Sequence, residues 1–88
     1  MNPAYSQIVS QATDRNFNGI VQTRNTLYVA RMRLDKFFTL FLDKFERTMD
    51  PDNTNTPIWN LYKIKLKEYD DVQRSITAAN YYLTKQNV

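Results

Sequence analysis

The chain of 88 residues contains no cysteine and no histidine. These absences exclude disulfide bonds, cysteine-ligated metal sites and thiol nucleophiles, and they remove the side chain that most often serves as acid, base or metal ligand. No Ser, Lys or Tyr stands beside a base that the sequence identifies as its activator. We therefore expect a protein that is not an enzyme and that takes no cofactor, no metal ion and no small-molecule substrate.

Glycine occurs once and proline three times, so few positions interrupt regular structure. The first residues lack a basic segment followed by an apolar run, and no window approaches the roughly 18 apolar residues of a membrane span. We expect a soluble protein with neither a signal peptide nor a transmembrane segment, in a compartment that the sequence does not identify. Hydrophobic residues make up 42% of the chain, too many for a disordered tail.

A polar segment, "MDPDNTNTP" at residues 49–57, divides the chain and predicts a loop over residues 49–56. Thr56 followed by Pro57 predicts a helix start, because the threonine hydroxyl can accept from a free backbone N–H and proline suits the first helical position. A long helix is therefore predicted over residues 57–85. Its apolar residues recur in steps of three and four and are Tyr62, Leu66, Tyr69, Val72, Ile76, Ala79 and Leu83.

A matching stripe upstream of the loop predicts another long helix over residues 20–48. Its members are Leu27, Ala30, Leu34, Phe37 or Phe38, Phe41, Phe45 and Met49. Two helices of similar length joined by a short loop favour an antiparallel hairpin.

The N-terminal third of the sequence allows two interpretations. Pro3 after Asn2 is typical of a capped helix start and favours a short separate helix over residues 3–14, with a break at residues 14–19. At that break we expect Asn18 and Gly19 to be free to take positive φ angles. The alternative is one bent helix from Pro3 to Thr48. The predicted fold is a single all-α domain over residues 1–88, an antiparallel two-helix hairpin with or without a short N-terminal third helix, completed by oligomerisation or by packing in a larger assembly.

The segment "DKFFTLFLDKF", residues 35–45, places apolar side chains on more than one side of its helix. Its phenylalanines share one broad face, whereas Leu40 and Leu42 lie well outside it. A strand over "FFTLFL" is the weaker alternative, because the helical spacing continues on both sides. Similar apolar excess follows the loop, and Tyr and Trp are enriched at protein interfaces. The candidate interface residues are Phe38, Leu40, Leu42, Trp59, Leu61, Ile64, Tyr81 and Tyr82.

Leaving three or four of these side chains in water would forfeit roughly 1.5 to 3 kcal/mol each. The N-terminal segment could cover them, but it has few apolar residues, so we favour a protein partner or self-association. Nine Asn, five Gln and a single Gly suggest a coding sequence rich in A and T, which is common in viruses. We hypothesise a non-enzymatic structural or interaction subunit of a larger assembly, such as a minor virion or capsid-associated protein.

A formal net charge of +3 supports an alternative, a small basic helical nucleic-acid-binding or regulatory protein. Its candidate contacts come from the stretches "RMR" and "KIKLK" and are Arg31, Arg33, Lys63, Lys65 and Lys67. The lysines of the second stretch spread around a helix instead of forming one stripe, which weakens this alternative. The acidic side chains at residues 50–52 and 68–71 are interpreted as a polar turn and a solvated face, not as metal ligands.

Overall fold

The computed structural model describes residues 3–86, which form three α-helices and no strand. Helix α1 spans Pro3–Thr13, α2 spans Phe17–Phe45 and ends in a 3₁₀ turn at Glu46–Thr48, and α3 spans Pro57–Lys85. The prediction of an all-helical fold is confirmed. The molecule measures 50 × 20 × 18 Å, so its long axis is close to the length of a 29-residue helix, about 43 Å at 1.5 Å per residue.

The junction between α1 and α2 is a C-terminal helix cap built on Arg15. The Arg15 N–H donates to the Ala12 carbonyl at 3.1 Å and the Asn16 N–H donates to the Gln11 carbonyl at 2.8 Å, the paired bonds of a Schellman motif. Arg15 has a φ of 56°. The expectation that Asn18 and Gly19 take positive φ angles is wrong, because both lie in the first turn of α2 and the left-handed residue of the junction is Arg15. The alternative of a single bent helix from Pro3 to Thr48 is also wrong.

Helix α2 begins at Phe17, three residues before the predicted start, because Asn16 caps it. The Asn16 side chain accepts a hydrogen bond from the Gly19 N–H at 3.0 Å. A Cβ atom on Gly19 would lie 2.5 Å from Nδ2 of Asn16, so the only glycine of the chain makes room for this cap.

The phenylalanine segment is helical throughout, so the strand alternative is wrong. After the 3₁₀ turn, the Asp50 carboxylate accepts from the Asp52 N–H at 2.9 Å, which fixes a polar turn. Thr56 caps α3 by accepting from the Trp59 N–H at 3.2 Å, with Pro57 in the first turn. The Lys63 ammonium donates to the Thr54 carbonyl at 2.8 Å and ties the loop to α3.

The hydrophobic core lies at the end of the molecule away from the loop, where all three helices meet. Its buried members are Ile8, Ile20, Leu27, Ile76 and Ala79. Ile8 is the one buried residue of α1 and is fully inaccessible to solvent. Helix α1 therefore covers the half of the α2–α3 pair that is distant from the loop.

Helices α2 and α3 also contact each other along the rest of their length. Arg31 lies opposite Gln73, and Phe38, further along α2, lies opposite the earlier residues Tyr62 and Tyr69 of α3. Residue numbers thus rise along one helix as they fall along the facing helix. Leu34 and Phe41 continue the buried side of α2 toward the loop at intervals of seven residues from Leu27.

Candidate interaction surface

The half of the α2–α3 pair near the loop, here called the loop half, consists of residues 34–45 and 57–71. Aromatic rings fill the space between its two helices. The Phe38 ring packs edge-on against Tyr62 at 5.7 Å and Tyr69 at 6.0 Å, and Phe41 stacks on Tyr62 at 5.9 Å between centroids. Phe38, a candidate interface residue, is thus half-buried within the chain itself.

Three of the other candidate residues expose large apolar side chains in the loop half. Leu40 is 60% exposed, Ile64 is 57% exposed and Leu61 is 40% exposed. Scattered exposed leucines are common on protein surfaces, so the informative question is whether these three lie together.

Helical spacing and one cleft place these residues on the same side of the molecule. The cleft, of about 430 Å³, forms where α1 begins and is lined by Pro3, by Ala30, Arg33 and Leu34 of α2, and by Glu68, Asp71 and Val72 of α3. On α2, Phe37 follows Arg33 by four residues and Leu40 follows Phe37 by three, so all three lie on the same side of the helix. On α3, Ile64 precedes Glu68 by four residues and Leu61 precedes Ile64 by three, so these three also share one side of their helix.

We call these four residues, Phe37, Leu40, Leu61 and Ile64, the uncovered face. The same side of α3 continues past Glu68 to Ser75 and Ala79, which are fully buried in the half that carries α1. Lys65 lies across the seam of the uncovered face, with its ammonium 5.4 Å from the Phe37 ring centroid and 3.4 Å from a carboxylate oxygen of Glu68. The uncovered face is therefore the continuation, toward the loop, of the surface on which α1 packs.

Leu42 and Trp59 lie on another side of the loop half. Both are half-buried and line a cleft of about 230 Å³ together with Glu46, Met49, Pro51 and Tyr62. The Trp59 ring packs edge-on against Tyr62 at 5.8 Å. Its Nε1 atom is buried and has no hydrogen-bond partner among residues 3–86. The structure thus separates these two candidates from Leu40, Leu61 and Ile64.

Tyr81 and Tyr82 lie at the far end of α3 and belong to neither of these surfaces. Tyr82 packs against the hydrophobic core, whereas Tyr81 is 53% exposed. A hydrogen bond with Tyr81 raises the pKa of Lys85, whose ammonium also lies 5.2 Å from the Tyr81 ring centroid. Tyr81 is therefore in contact with a charged side chain of its own helix.

Sequence reasoning assigned Leu66 to the stripe that faces the other helix, but Leu66 is 44% exposed. Gln73 and Asn80 occupy that seam further along α3, where they accept hydrogen bonds from Arg31 at 2.7 Å and Arg24 at 3.0 Å. Both guanidinium groups also lie over the Tyr28 ring, 5.1 and 5.6 Å from its centroid. Arg24 and Arg31 are seven residues apart on α2, and Gln73 and Asn80 are seven residues apart on α3. This heptad spacing is present in the sequence, but a search for apolar periodicity does not detect it because the residues are polar.

The structure does not bring the five candidate nucleic-acid contacts together. Arg31 is half-buried against α3, Lys63 is bound to the loop, and Lys65 is paired with Glu68. Arg33 lines the cleft at the start of α1, and Lys67 is exposed.

Within residues 3–86, no group of three His, Cys, Asp or Glu side chains could hold a metal ion. The described helices also include none that is long and apolar enough to cross a bilayer.

No family model, no curated protein and no solved structure matches this chain. A functional assignment therefore rests on the geometry of the molecule itself. Its most distinctive feature is an apolar surface that α1 covers in one half and leaves open in the other.

Proposed function

We propose that this protein is a non-enzymatic structural or interaction subunit of a larger assembly, in which helix packing is the mechanism. The α2–α3 pair is then an antiparallel hairpin that another chain completes. The observation that carries the proposal is the uncovered face, where Leu40 and Ile64 are each more than half exposed beside the aromatic rings of the loop half.

The energy at stake is large for a chain of this size. Full burial of a Leu or Ile side chain contributes roughly 1.5 to 3 kcal/mol, so completing the burial of Leu40, Leu61 and Ile64 offers roughly 2 to 5 kcal/mol. Small domains are stabilised by only about 5 to 15 kcal/mol in total. A partner that covers this face would therefore gain a substantial part of a typical folding free energy.

A minor virion or capsid-associated protein is the assembly class that we propose to test first. Its support is compositional, from the Asn-rich and Gly-poor sequence. The experiment is isolation of the tagged full chain from its native source at physiological salt, followed by identification of proteins present in stoichiometric amount and by sedimentation of the purified chain at micromolar concentration.

Two substitutions make this experiment specific to the uncovered face. Leu40→Asp places a charge within it and should abolish the association. Thr77→Asp places the same charge on an exposed position of α3 outside the loop half and should preserve it. A well-folded chain that sediments only as a monomer and co-purifies with no stoichiometric protein would contradict the proposal.

The nucleic-acid alternative has weaker support, because three of its five candidate contacts are engaged within the chain: Arg31, Lys63 and Lys65. Phosphate binding predicts an affinity that falls steeply with added salt. Binding of DNA or RNA that weakens in this way, and that Lys67→Gln reduces, would favour the alternative over the proposal made here.

A further inference from the structure

We propose that Asn18 is a latent modification site whose deamidation is suppressed by the fold of the junction between α1 and α2. The product is an aspartate or an isoaspartate residue in the first turn of α2. This inference goes beyond the proposed function, because it concerns a covalent change within a single chain and does not depend on any partner.

The reactivity of Asn18 comes from the residue that follows it. The one glycine of the chain stands directly after Asn18, whereas every other asparagine precedes a larger residue. In deamidation the backbone nitrogen of Gly19 gives up its proton and attacks Cγ of Asn18. The new N–C bond closes a succinimide ring, and the side-chain nitrogen leaves as ammonia. Glycine favours this step, because it has no Cβ to hinder the attack and restricts the backbone least.

Water completes the reaction by opening the succinimide ring. It adds to one of the two ring carbonyls, and the C–N bond that then breaks decides whether the main chain runs through the α- or the β-carboxyl of residue 18. Asn18 is exposed, and its side-chain amide forms no hydrogen bond within residues 3–86. Neither the surroundings of this side chain nor the supply of water therefore prevents deamidation.

Three features of the fold oppose the first step instead. The Gly19 N–H, which must lose its proton, donates to Oδ1 of Asn16 at 3.0 Å. Asn18 lies in α2, where ψ is about −42°, and ring closure requires its ψ angle to leave this region. Ile20 comes next and is fully buried in the core, so such a rotation would displace it. Deamidation should therefore occur only when the start of α2 opens, at a rate set by the population of that open state.

The two products have opposite effects on the junction. An aspartate at residue 18 keeps the main chain intact and places a negative charge in the first turn of α2, which the helix dipole favours. An isoaspartate adds a methylene group to the main chain between Asn16 and Gly19, so the cap hydrogen bond and the register of the first turn are lost. Chains with isoaspartate should therefore unfold at a lower urea concentration than unmodified chains.

The test compares deamidation in the folded chain with deamidation in a free peptide. The full wild-type chain and a synthetic peptide of residues 14–23, which is too short to form a stable helix, are incubated in the same mildly alkaline buffer. Mass spectrometry after proteolysis at acidic pH measures aspartate and isoaspartate at residue 18. We expect deamidation to be at least roughly tenfold slower in the folded chain, because only its open state reacts.

Three substitutions examine the role of the cap, and circular dichroism checks that each variant is helical. Asn16→Ala removes the cap and should speed deamidation roughly fivefold, since loss of an N-cap shifts an opening equilibrium by about this factor. Asn25→Ala is the matched control, because Asn25 is an exposed asparagine of α2 outside the cap, and it should leave the rate unchanged. Asn16→Asp keeps a side-chain oxygen that can accept from the Gly19 N–H and should preserve the slow rate.

Equal deamidation rates in the folded wild-type chain and the peptide would overturn the inference. A helical Asn16→Ala variant that deamidates no faster than the wild-type chain would overturn it as well. If Asn16→Ala does not fold, Asn16→Asp decides the question: the wild-type rate in this variant supports the inference, and a rate as fast as that of the peptide contradicts it.

Discussion

Truncation of Ile8 to alanine tests whether α1 is a structural part of the domain or a loosely attached segment. Ile8 is the only buried residue that the structure shows in α1, and it contacts the core cluster formed with Ile20, Leu27, Ile76 and Ala79. Truncation of a buried isoleucine to alanine lowers the free energy of unfolding by about 2 to 5 kcal/mol. The lost transfer free energy of the removed atoms and the cavity that they leave both contribute to this loss.

Because Ile8 is fully buried at the meeting point of three helices, we expect a loss of about 3 kcal/mol. For a domain of this size each kcal/mol lowers the melting temperature by about 4 to 8 °C, so the expected shift is about 12 °C or more. Urea unfolding is followed by circular dichroism, which reports all three helices, and by the fluorescence of Trp59 near the loop. Both transitions should move together to lower urea. Val29→Ala, at a position 48% exposed on α2, should change stability by less than about 0.5 kcal/mol.

A different outcome would refute the reasoning. If Ile8→Ala lowers the helical signal slightly and leaves the Trp59 transition in place, α1 detaches without affecting the rest of the molecule. Helices α2 and α3 would then form a unit on their own, and the three-helix core would not be the main source of stability. All comparisons are made at one protein concentration, since association shifts apparent stability by mass action.

Three further substitutions test local contacts through urea unfolding. Arg15→Gly should stabilise the protein by about 1 kcal/mol, because Arg15 pays the cost of a left-handed conformation that glycine avoids; a loss of stability would contradict the cap described here. Thr56→Ala should cost about 1 kcal/mol through loss of the N-cap of α3, and Thr56→Ser should cost less. Gln73→Ala should cost about 1.5 to 3 kcal/mol by removing the acceptor of the Arg31 guanidinium, and this cost should largely disappear in an Arg31→Ala background; additive losses would show that the pair is not coupled.

The parts of the fold that local sequence determines were predictable. Thr56 and Pro57 predict the start of α3 because capping depends only on neighbouring backbone groups, and the polar loop before them is equally local. The same reasoning missed the cap at Arg15, because a positive φ at a non-glycine residue leaves no compositional signal. Leu66 was misassigned because the seam at this level of α3 is filled by the larger rings of Tyr62 and Tyr69.

The packing site of α1 could not be predicted, because it depends on residues about 70 positions apart. Ile8 alone does not indicate which end of a long helix pair it will cover. What selects the end is the small size of Ser75 and Ala79, which lets a third helix approach α3 closely, whereas Leu61 and Ile64 occupy the equivalent positions nearer the loop. The extent of the uncovered face follows from this choice, and it was therefore visible only in the structure.

The separation of the core from the uncovered face determines how folding and association depend on each other. The buried cluster around Ile8 and Ile76 lies in the three-helix half, so this cluster is already buried within a single chain. The loop half is two helices thick, and its rings between Phe38 and Tyr69 are covered only in part. Helices with few buried contacts open at a lower free energy than a packed core does. Association should therefore slow hydrogen exchange most strongly in residues 34–45 and 57–71, while exchange in the three-helix half stays governed by its own core.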